Sequence, residues 1–224
     1  MVISVPILVF DFDSTLVSVE ALDELFAQSL DGLPDREERV AQFQEITDLG
    51  MAGDLSAERS LAQRLELLEA DQSLIARVAD QIQRSLSPSV SRNLEFFRDE
   101  RDRIHVVSGG FEELIRPTLL RLGLPESRLH AHRFSYDEEG RVTGLDPDTQ
   151  MGRTGKPGVV KQLRGDSTEL WVIGDGATDL ELRTLGLADR FFAFTENRHR
   201  ESVVRRADHV VRSIDELLTF MEAK

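Results

Sequence analysis

A short apolar run that ends in two carboxylates constrains the fold of this chain more than any other feature. Residues 5–10 read Val-Pro-Ile-Leu-Val-Phe, and Asp-Phe-Asp-Ser-Thr-Leu follows directly as residues 11–16. A strand that is apolar on both faces belongs inside a parallel sheet, and such sheets bind their ligands at the carboxyl ends of the strands. The sequence therefore places Asp11 and Asp13 where a ligand would bind, with an Asp-rich turn as the alternative.

The spacing of these two carboxylates points to a metal ion. Asp11 and Asp13 are two residues apart, and like charges held this close repel unless a positive charge lies between them. A hard divalent cation with oxygen ligands meets that need, and Mg²⁺ commonly binds one or two carboxylates. We therefore expect Mg²⁺ as the cofactor.

Composition excludes several classes of function. The 224 residues include 27 Lys and Arg against 41 Asp and Glu, for a net charge of −14, which argues against nucleic acid or an anionic membrane as a partner. The chain has no Cys, so disulfides, thiolate catalysis and Cys-ligated zinc are excluded. The N-terminal apolar run is too short to span a bilayer, and we expect a cytoplasmic protein. The oligomeric state stays open.

Further along the chain, strand-like and helix-like segments alternate. Short β-prone runs occur at 103–108, 170–175, 191–194 and 209–211, whereas apolar residues recur at helical intervals in 111–122, 158–163, 178–185, 198–206 and 213–221. Alternation of this kind predicts an α/β fold with a doubly wound, Rossmann-like parallel sheet.

Two interruptions break this alternation. Residues 17–86 separate the first strand from the rest and carry apolar positions at helical spacing, a connection far longer than usual. We predict a helical cap domain at 17–86 inserted into a core domain of 1–16 and 87–224. The second interruption, 135–148, contains Asp-Glu-Glu-Gly between β-prone stretches and predicts a small β-hairpin.

Three further motifs fall at strand ends or helix starts. They are Ser108-Gly109-Gly110, Gly155-Lys156, and Gly-Asp-Gly-Ala-Thr-Asp at 174–179. Glycines let the backbone approach an anion, and a hydroxyl, an ammonium group and helix-start amides are anion donors. Each motif has a plainer alternative: a loop, a solvated lysine, and a turn capped by Thr178 or Asp179.

Together the four segments supply what phosphoryl transfer to a carboxylate requires: a nucleophile, an acid/base group, anion donors and metal ligands. Their order, Asp-x-Asp-x-Thr, then Ser, then Lys, then Gly-Asp-x-x-x-Asp, resembles the phosphatases of the haloacid dehalogenase superfamily over nearly the whole chain.

That resemblance implies a role for each motif residue. Asp11 would be the nucleophile that forms an aspartyl-phosphate, and Asp13 would be the general acid and base. Mg²⁺ would be held by Asp11, the backbone carbonyl of Asp13 and Asp175, with Asp179 acting on metal water or Lys156 from behind. Ser108, Gly109 and Lys156 would stabilise charge on the phosphoryl oxygens.

Within the superfamily the chain is most similar to the phosphoserine phosphatase family, through residues 11–25, 46–55 and 60–65. That similarity implies a small phosphorylated metabolite as substrate, with phosphoserine foremost. The substrate-binding residues would be Glu20, Met51, Arg64, Ser108, Gly109, Gly110 and Thr178. Read without the family, Glu20 complements a helix dipole, Arg64 is a surface arginine and Met51 fills the core.

The chain departs from the family pattern at Ala57, where a bulky aromatic is usual, and at Thr178, where Asn is common. Ala57 supports an alternative in which the same chemistry acts on another small phosphometabolite or transfers phosphate to an alcohol. A receiver-like signalling module is a third reading, which the large cap and Asp13 disfavour. The basic cluster within 198–206 is interpreted as a solvated helix face.

Overall fold

The computed structural model of the chain describes residues 6–52, 54–165 and 169–223. The side chains of Met51 and Ala57, both named above, lie outside this description. Among the described segments, no helix has the length and apolar content that a bilayer crossing needs.

Six parallel strands of the described chain form one sheet. In their order across it they are β3 (Leu129–His132), β2 (Ile104–Phe111), β1 (Ile7–Phe10), β6 (Leu170–Gly174), β7 (Arg190–Phe194) and β8 (His209–Val211). The chain moves outward from β1 to β3 and then returns to β6 on the other side of β1. This order confirms the predicted doubly wound sheet, and it puts the switch point, where such folds bind ligands, between β1 and β6.

The central strands are apolar on both faces because helices cover both sides of the sheet. Leu8 and Phe10 pack into one apolar cluster, while Val9 packs into a second one on the opposite face with Val107 and Val172. Successive side chains of a strand point to opposite faces, so this sequence leaves no polar face for solvent. Phe10 pairs with Val106 on one side and with Ile173 on the other, which brings the ends of β1, β2 and β6 to one edge.

Between β1 and β2 the described residues form six helices: α1 (Ala21–Ser29), α2 (Arg36–Ala52), α3 (Ala57–Glu66), α4 (Gln72–Ile82), α5 (Pro88–Arg92) and α6 (Leu94–Asp99). The buried face of α4, formed by Ile75, Val78, Ala79 and Ile82, belongs to the same apolar cluster as Phe97 and Ile104 of the sheet layer. The helical insertion therefore shares a core with the sheet, and its division into a separate cap at 17–86 stays a prediction.

The remaining helices are α7 (Glu112–Arg121), α8 (Gln150–Arg164), α9 (Ala177–Thr184), α10 (Glu201–Val204) and α11 (Ile214–Glu222). Four of them match the predicted helical segments, although α8 begins eight residues before the predicted 158–163. The helix expected at 198–206 is wrong in extent, because only residues 201–204 are helical and 195–200 form a loop after β7.

The predicted hairpin is confirmed as an antiparallel pair of strands, β4 (Phe134–Tyr136) and β5 (Val142–Leu145). Its turn is held by Asp137, whose Oδ1 accepts hydrogen bonds from the amides of Glu139 and Arg141. Phe134 stacks on Phe111 at the end of β2, with ring centroids 3.7 Å apart. The hairpin is therefore anchored beside the strand that carries Ser108.

Candidate active site

The residues singled out in the sequence converge on the edge of the sheet where β1, β2 and β6 end. Asp11 follows β1, Ser108 lies in β2, and Asp175 follows β6. Lys156 and Asp179 enter from α8 and α9, which pack beside one another. The register of the parallel strands thus brings together side chains that are up to 168 positions apart in the chain (Asp11 to Asp179).

Lys156 is the centre of the charged cluster. Its Nζ donates to Oδ1 of Asp11 and to Oδ1 of Asp179, at 2.8 Å in each case. The side chains of Lys156 and Asp11 are only 9% and 12% exposed. Burial by itself lowers the pKa of Lys156, but the two carboxylates outweigh it, so that this pKa lies above its usual value. The lysine therefore stays protonated between two anions.

A break in α8 brings Lys156 into the site. Gly155 has a φ of +62°, in a region that residues with a Cβ rarely adopt, and it interrupts the helix immediately before Lys156. The first part of α8 is capped by Thr149, whose Oγ1 accepts from the amide of Gly152 at 2.9 Å. The Gly-Lys pair of the sequence motif thus combines a kink with a buried cation.

Asp179 is fully buried and uses both carboxylate oxygens. While Oδ1 faces Lys156, Oδ2 accepts from the amide of Gly176 at 3.1 Å and so caps α9. The backbone passes close beneath it at Gly174, where an added Cβ would lie 2.4 Å from Oδ2 of Asp179. Burial, followed by the negative charge of Asp11, raises the pKa of Asp179 against the opposing effect of Lys156.

Asp175 is paired with an arginine that was not assigned to the site from the sequence. Nε of Arg200 donates to Oδ2 of Asp175 at 2.9 Å, and Nη2 of Arg200 lies 3.9 Å from Oε1 of Glu20. Burial and the charge of Asp11 nevertheless raise the pKa of Asp175 to about 6. Arg200 therefore offsets only part of the effect of burial and of the neighbouring Asp11.

Three of these carboxylates have the arrangement that a metal ion needs. Asp11, Asp175 and Asp179 can each present one oxygen such that all three oxygens lie within 4.8 Å of one another. An all-oxygen set suits a hard divalent cation, and a cation bound there would offset the burial and mutual repulsion that raise the pKa values of Asp175 and Asp179. The donor set fits the metal ion expected from the sequence.

Asp13 has a different environment from Asp11. Its Oδ1 accepts from the amide of Ala21 at 2.8 Å, at the start of α1, and a Cβ added at Gly110 would lie 3.4 Å from its Oδ2. Burial first, and then the charge of Glu20, raise the pKa of Asp13 well above its usual range, although the Ala21 amide opposes this. Burial and the nearby charge of Glu20 therefore favour the protonated form of this carboxyl group.

Ser108, Gly109 and Gly110 form an irregular end of β2. The register between β2 and β3 shifts between Val107 and Phe111, which is the stretch that contains these three residues. Oγ of the buried Ser108 accepts from the amide of Gly110 at 3.0 Å, whereas Gly109 is exposed and a Cβ there would meet nothing within 4 Å. The chain is thus open to solvent at Gly109 and bent around the Ser108 hydroxyl.

Two predicted substrate residues, Glu20 and Arg64, belong to the helical insertion, and the charges of both act on Asp13. Oε1 of Glu20 accepts from Oγ of Ser14 at 2.7 Å. Arg64 donates through Nε to the carbonyl of Ser60 at 3.4 Å, and its Nη1 lies 3.9 Å from Oδ1 of Asp23. Burial lowers the pKa of Arg64, while Asp23, Asp13 and Glu20 act to raise it. The positive charge of Arg64 therefore interacts with carboxylates of the candidate site.

Comparison with known sequences agrees with this geometry. A sequence model of the haloacid dehalogenase-like hydrolase family matches residues 8–183. The chain belongs to this family.

Relatives within the family share nearly the whole chain. This member is 31% identical to the chloroplastic phosphoserine phosphatase of Arabidopsis thaliana over 222 residues, which is 98% of this chain and 72% of the relative. It is 28% identical to the phosphoserine phosphatase of Homo sapiens, over 95% of this chain and 92% of the relative. Membership and these relatives confirm that the chain is a phosphomonoesterase hydrolase.

Solved structures of the family superpose closely. A phosphoserine phosphohydrolase-like protein from Francisella tularensis aligns with a TM-score of 0.83 at 28% identity, covering 96% of this chain and 99% of that one. A phospho-aspartyl intermediate analogue of phosphoserine phosphatase aligns with a TM-score of 0.75 at 25% identity, covering 97% and 99%. The predicted resemblance to haloacid dehalogenase phosphatases is thus confirmed.

The structure corrects one interpretation of this family member's sequence. The sequence predicts a solvated helix face for the basic cluster of 198–206, which is wrong for Arg200, because this residue lies in a loop and binds Asp175. Asn197 of the same loop contacts Ser14, next to Asp13. The signal that points to both is their position: the loop follows β7, whose end lies at the same sheet edge as the motif residues.

For two other predicted residues, Thr178 and Met51, the structure gives no contact with the charged cluster within its described part. Thr178 is exposed in the first turn of α9, where the cap is provided by Asp179 rather than by Thr178. Met51 lies at the end of α2, and its side chain is outside the described part of the structure.

Proposed function

We propose that the chain is a Mg²⁺-dependent phosphatase that hydrolyses O-phosphoserine to serine and phosphate through an aspartyl-phosphate on Asp11. The observation that carries the proposal is the contrast between the two aspartates of the first motif. Asp11 lies against the Lys156 ammonium group, whereas the pKa of Asp13 is raised by burial and by Glu20. One is suited to attack and the other to donate a proton.

Asp11, Asp175 and the backbone carbonyl of Asp13 would hold the Mg²⁺ ion, with Asp179 behind or among the ligands. Bound there, the ion would supply positive charge that offsets the repulsion between a carboxylate and a phosphate group.

In the first step a carboxylate oxygen of Asp11 attacks phosphorus. The bond from phosphorus to the serine oxygen breaks, and Asp13 gives its proton to that leaving oxygen, so that free serine departs. Because Lys156 holds Oδ1 of Asp11 at 2.8 Å, we assign the attack to Oδ2. Asp13 leaves this step as a carboxylate.

In the second step water attacks phosphorus of the aspartyl-phosphate. Asp13 takes a proton from the water, the bond between phosphorus and the Asp11 oxygen breaks, and phosphate leaves. Both aspartates are thereby returned to their starting protonation. During both steps Lys156, the hydroxyl of Ser108 and the backbone amide of Gly109 stabilise charge on the phosphoryl oxygens, while the Gly110 amide holds the Ser108 hydroxyl.

The phosphoserine assignment depends on two side chains at the helical insertion. Glu20 would accept the substrate ammonium group, and Arg64 would bind its carboxylate through two parallel hydrogen bonds. Three features support these roles: the charge of Arg64 acts on both Asp13 and Glu20, its side chain is 19% exposed, and the relatives are named phosphoserine phosphatases. Thr178 and Met51 are proposed to line the same pocket.

The test is Mg²⁺-dependent phosphate release, compared as kcat/KM for phosphoserine, phosphothreonine, a sugar phosphate and p-nitrophenyl phosphate. Arg64→Ala should raise the KM for phosphoserine about 100-fold, since a charge-assisted bidentate contact is lost, and leave p-nitrophenyl phosphate within about twofold.

Arg39→Ala is the matched control for Arg64→Ala. Arg39 also lies in the helical insertion with its side chain 21% exposed, and it binds Glu69 at 2.7 Å and the carbonyl of Leu67 at 3.3 Å. Its loss should leave both KM values unchanged. Equal effects of Arg64→Ala on the two substrates, or a preference for a sugar phosphate, would reject the phosphoserine assignment.

A further inference from the structure

Two chain segments connect the helical insertion to the sheet, and they are bonded to each other. The amide of Ser18 donates to the carbonyl of Ser85 at 2.9 Å, and the amide of Ser87 donates to the carbonyl of Leu16 at 3.0 Å. Val17 and Leu86 form an antiparallel bridge between these contacts. We call residues 14–18 and 85–87 the linkers. If α1–α4 move relative to the sheet edge, the backbone of these linkers has to change conformation.

A side chain from a distant part of the chain joins both linkers. Nδ2 of Asn197 lies 3.0 Å from the carbonyl oxygen of Ser14, 3.4 Å from that of Val17 and 2.7 Å from Oγ of Ser87. Oγ of Ser87 in turn donates to the carbonyl of Thr15 at 2.7 Å, so this oxygen can only accept from Asn197. With three acceptors around it, the amide group must present its NH₂ end to the linkers.

The loop that carries Asn197 is itself held on both sides. Glu196 accepts hydrogen bonds from the amide and the hydroxyl of Ser89 at the start of α5. On the other side, Arg200 binds Asp175. Asn197 is therefore presented to the linkers by a loop that is tied to the sheet edge.

Ser14 needs such support because of its backbone conformation. Its φ is +51°, in the left-handed region that costs a residue with a Cβ free energy. Its amide donates to the carbonyl of Val19 at 3.2 Å, its Oγ donates to Oε1 of Glu20, and its carbonyl accepts from Asn197. Asn197 thus holds the residue that holds the Glu20 carboxylate.

We infer that Asn197 is a positioning residue: by holding Ser14 and both linkers, it sets where Glu20 stands relative to the sheet edge. The inference rests on the proposed function, in which Glu20 accepts the ammonium group of phosphoserine. Asn197 touches no reacting atom, so its loss acts on the capture of an amine-bearing substrate and leaves phosphoryl transfer intact.

The experiment compares Asn197→Ala and Asn197→Asp with Asn93→Ala. Asn197→Asp keeps the side-chain size and removes the donors. Asn93 is a matched control, since its Nδ2 likewise joins distant segments, through bonds to the carbonyl of Ser89 at 2.8 Å and to Oδ1 of Asp215 at 3.0 Å, both outside the linkers. KM and kcat are measured for phosphoserine and for p-nitrophenyl phosphate, together with amide hydrogen exchange in 14–18 and 85–87.

Both Asn197 variants should raise the phosphoserine KM about tenfold, the loss that one or two buried hydrogen bonds produce, with kcat and both p-nitrophenyl phosphate constants within about threefold. Linker amides should exchange at least about tenfold faster, because local opening costs less free energy. Asn93→Ala should change neither quantity.

Linker exchange that stays at the wild-type rate in both Asn197 variants overturns the inference, as does an equal KM rise for the two substrates. A KM rise in Asn197→Ala that is missing in Asn197→Asp would mean that side-chain volume matters instead of donation, and it also overturns it. A wild-type enzyme that hydrolyses only p-nitrophenyl phosphate contradicts the proposed function instead, and hydrogen exchange then decides on Asn197 alone.

Discussion

The two sides of the candidate active site are built differently. At the sheet edge, oppositely charged groups are in direct contact: Lys156 lies 2.8 Å from Asp11 and from Asp179. At the helical insertion, the corresponding pairs are 3.9 Å apart, between Arg64 and Asp23 and between Arg200 and Glu20. Contacts at 2.8 Å fix the groups that we propose act on phosphorus, whereas the 3.9 Å pairs leave hydrogen-bonding capacity for the proposed substrate.

This difference follows from the elements that carry the residues. The sheet-edge groups sit on strand ends whose register is set by backbone hydrogen bonds, such as that from the amide of Asp11 to the carbonyl of Ile173 at 2.9 Å. The groups on the insertion come from the start of α1 and from α3, whose covalent connection to the sheet runs through the linkers. We expect substitutions on the two sides to change different measured quantities.

The largest effect is expected from Asp11→Asn. An amide cannot form the covalent intermediate, so kcat should fall by about 10⁴-fold or more for every phosphomonoester alike. Phosphate release from phosphoserine and from p-nitrophenyl phosphate, with Mg²⁺ present, measures this. Asp137→Asn, in the exposed hairpin turn, is the control and should retain activity. Residual turnover near the wild-type rate would contradict the nucleophile assignment and with it the chemical role of the sheet edge.

The second largest effect is expected from Lys156→Met, which should lower the stability of the folded protein. It removes the cation between two buried carboxylates and leaves them uncompensated, which should lower the free energy of unfolding by about 3–5 kcal/mol. Urea unfolding followed by circular dichroism gives this value. Arg64→Met, on the side with longer contacts and more solvent, should cost less than half as much. Equal losses in the two variants would remove the proposed difference between the two sides.

The smallest effect is a pH dependence at Asp23. Burial and the charge of Glu20 raise the pKa of Asp23 to about 6. Because the folded state then binds this proton more tightly than the unfolded state, the wild type loses stability as pH rises from about 4 to about 6. Asp23→Asn should therefore match the wild type near pH 4 and be more stable by about 1–2 kcal/mol at pH 8, allowing for partial solvent exposure.

Asp137→Asn provides the opposite sign for comparison. The amide and side chain of Arg141 lower the pKa of Asp137, so its contribution to stability is present at neutral pH and is lost as pH falls. Thermal unfolding at pH 4 and pH 8 should show Asp23→Asn gaining and Asp137→Asn losing stability at the higher pH. A change of the same sign in both variants would mean that burial and Glu20 do not raise the pKa of Asp23.

The sequence was most informative where function depends on strand ends. The apolar run before Asp11 and the β-prone runs before Ser108 and Asp175 predict parallel strands, and parallel strands bring their carboxyl ends to one edge. That argument needs no knowledge of side-chain packing. It predicted the sheet and the hairpin, because each depends on patterns within a few residues of chain.

The same reasoning failed at residues 198–206, where helical spacing of apolar residues predicted a longer helix. Only 201–204 are helical, and the loop before them turns toward Asp175 and the linkers. Neither the contact of Arg200 with Asp175 nor that of Asn197 with Ser14 has a local sequence signal, because the partners are 25 and 183 positions apart. The unbroken apolar cluster between α4 and the sheet was missed for the same reason.

By itself, the sequence determined the order of strands and helices and the positions of the carboxylates and the lysine that follow them. The tertiary structure alone decided how those residues differ. Asp11 and Asp13 are two positions apart and chemically identical, yet one binds the Lys156 ammonium group while the other accepts from the Ala21 amide and feels the charge of Glu20. Proton affinity depends on burial and on charges brought near by folding, and those are set by contacts between distant segments, which local periodicity does not encode.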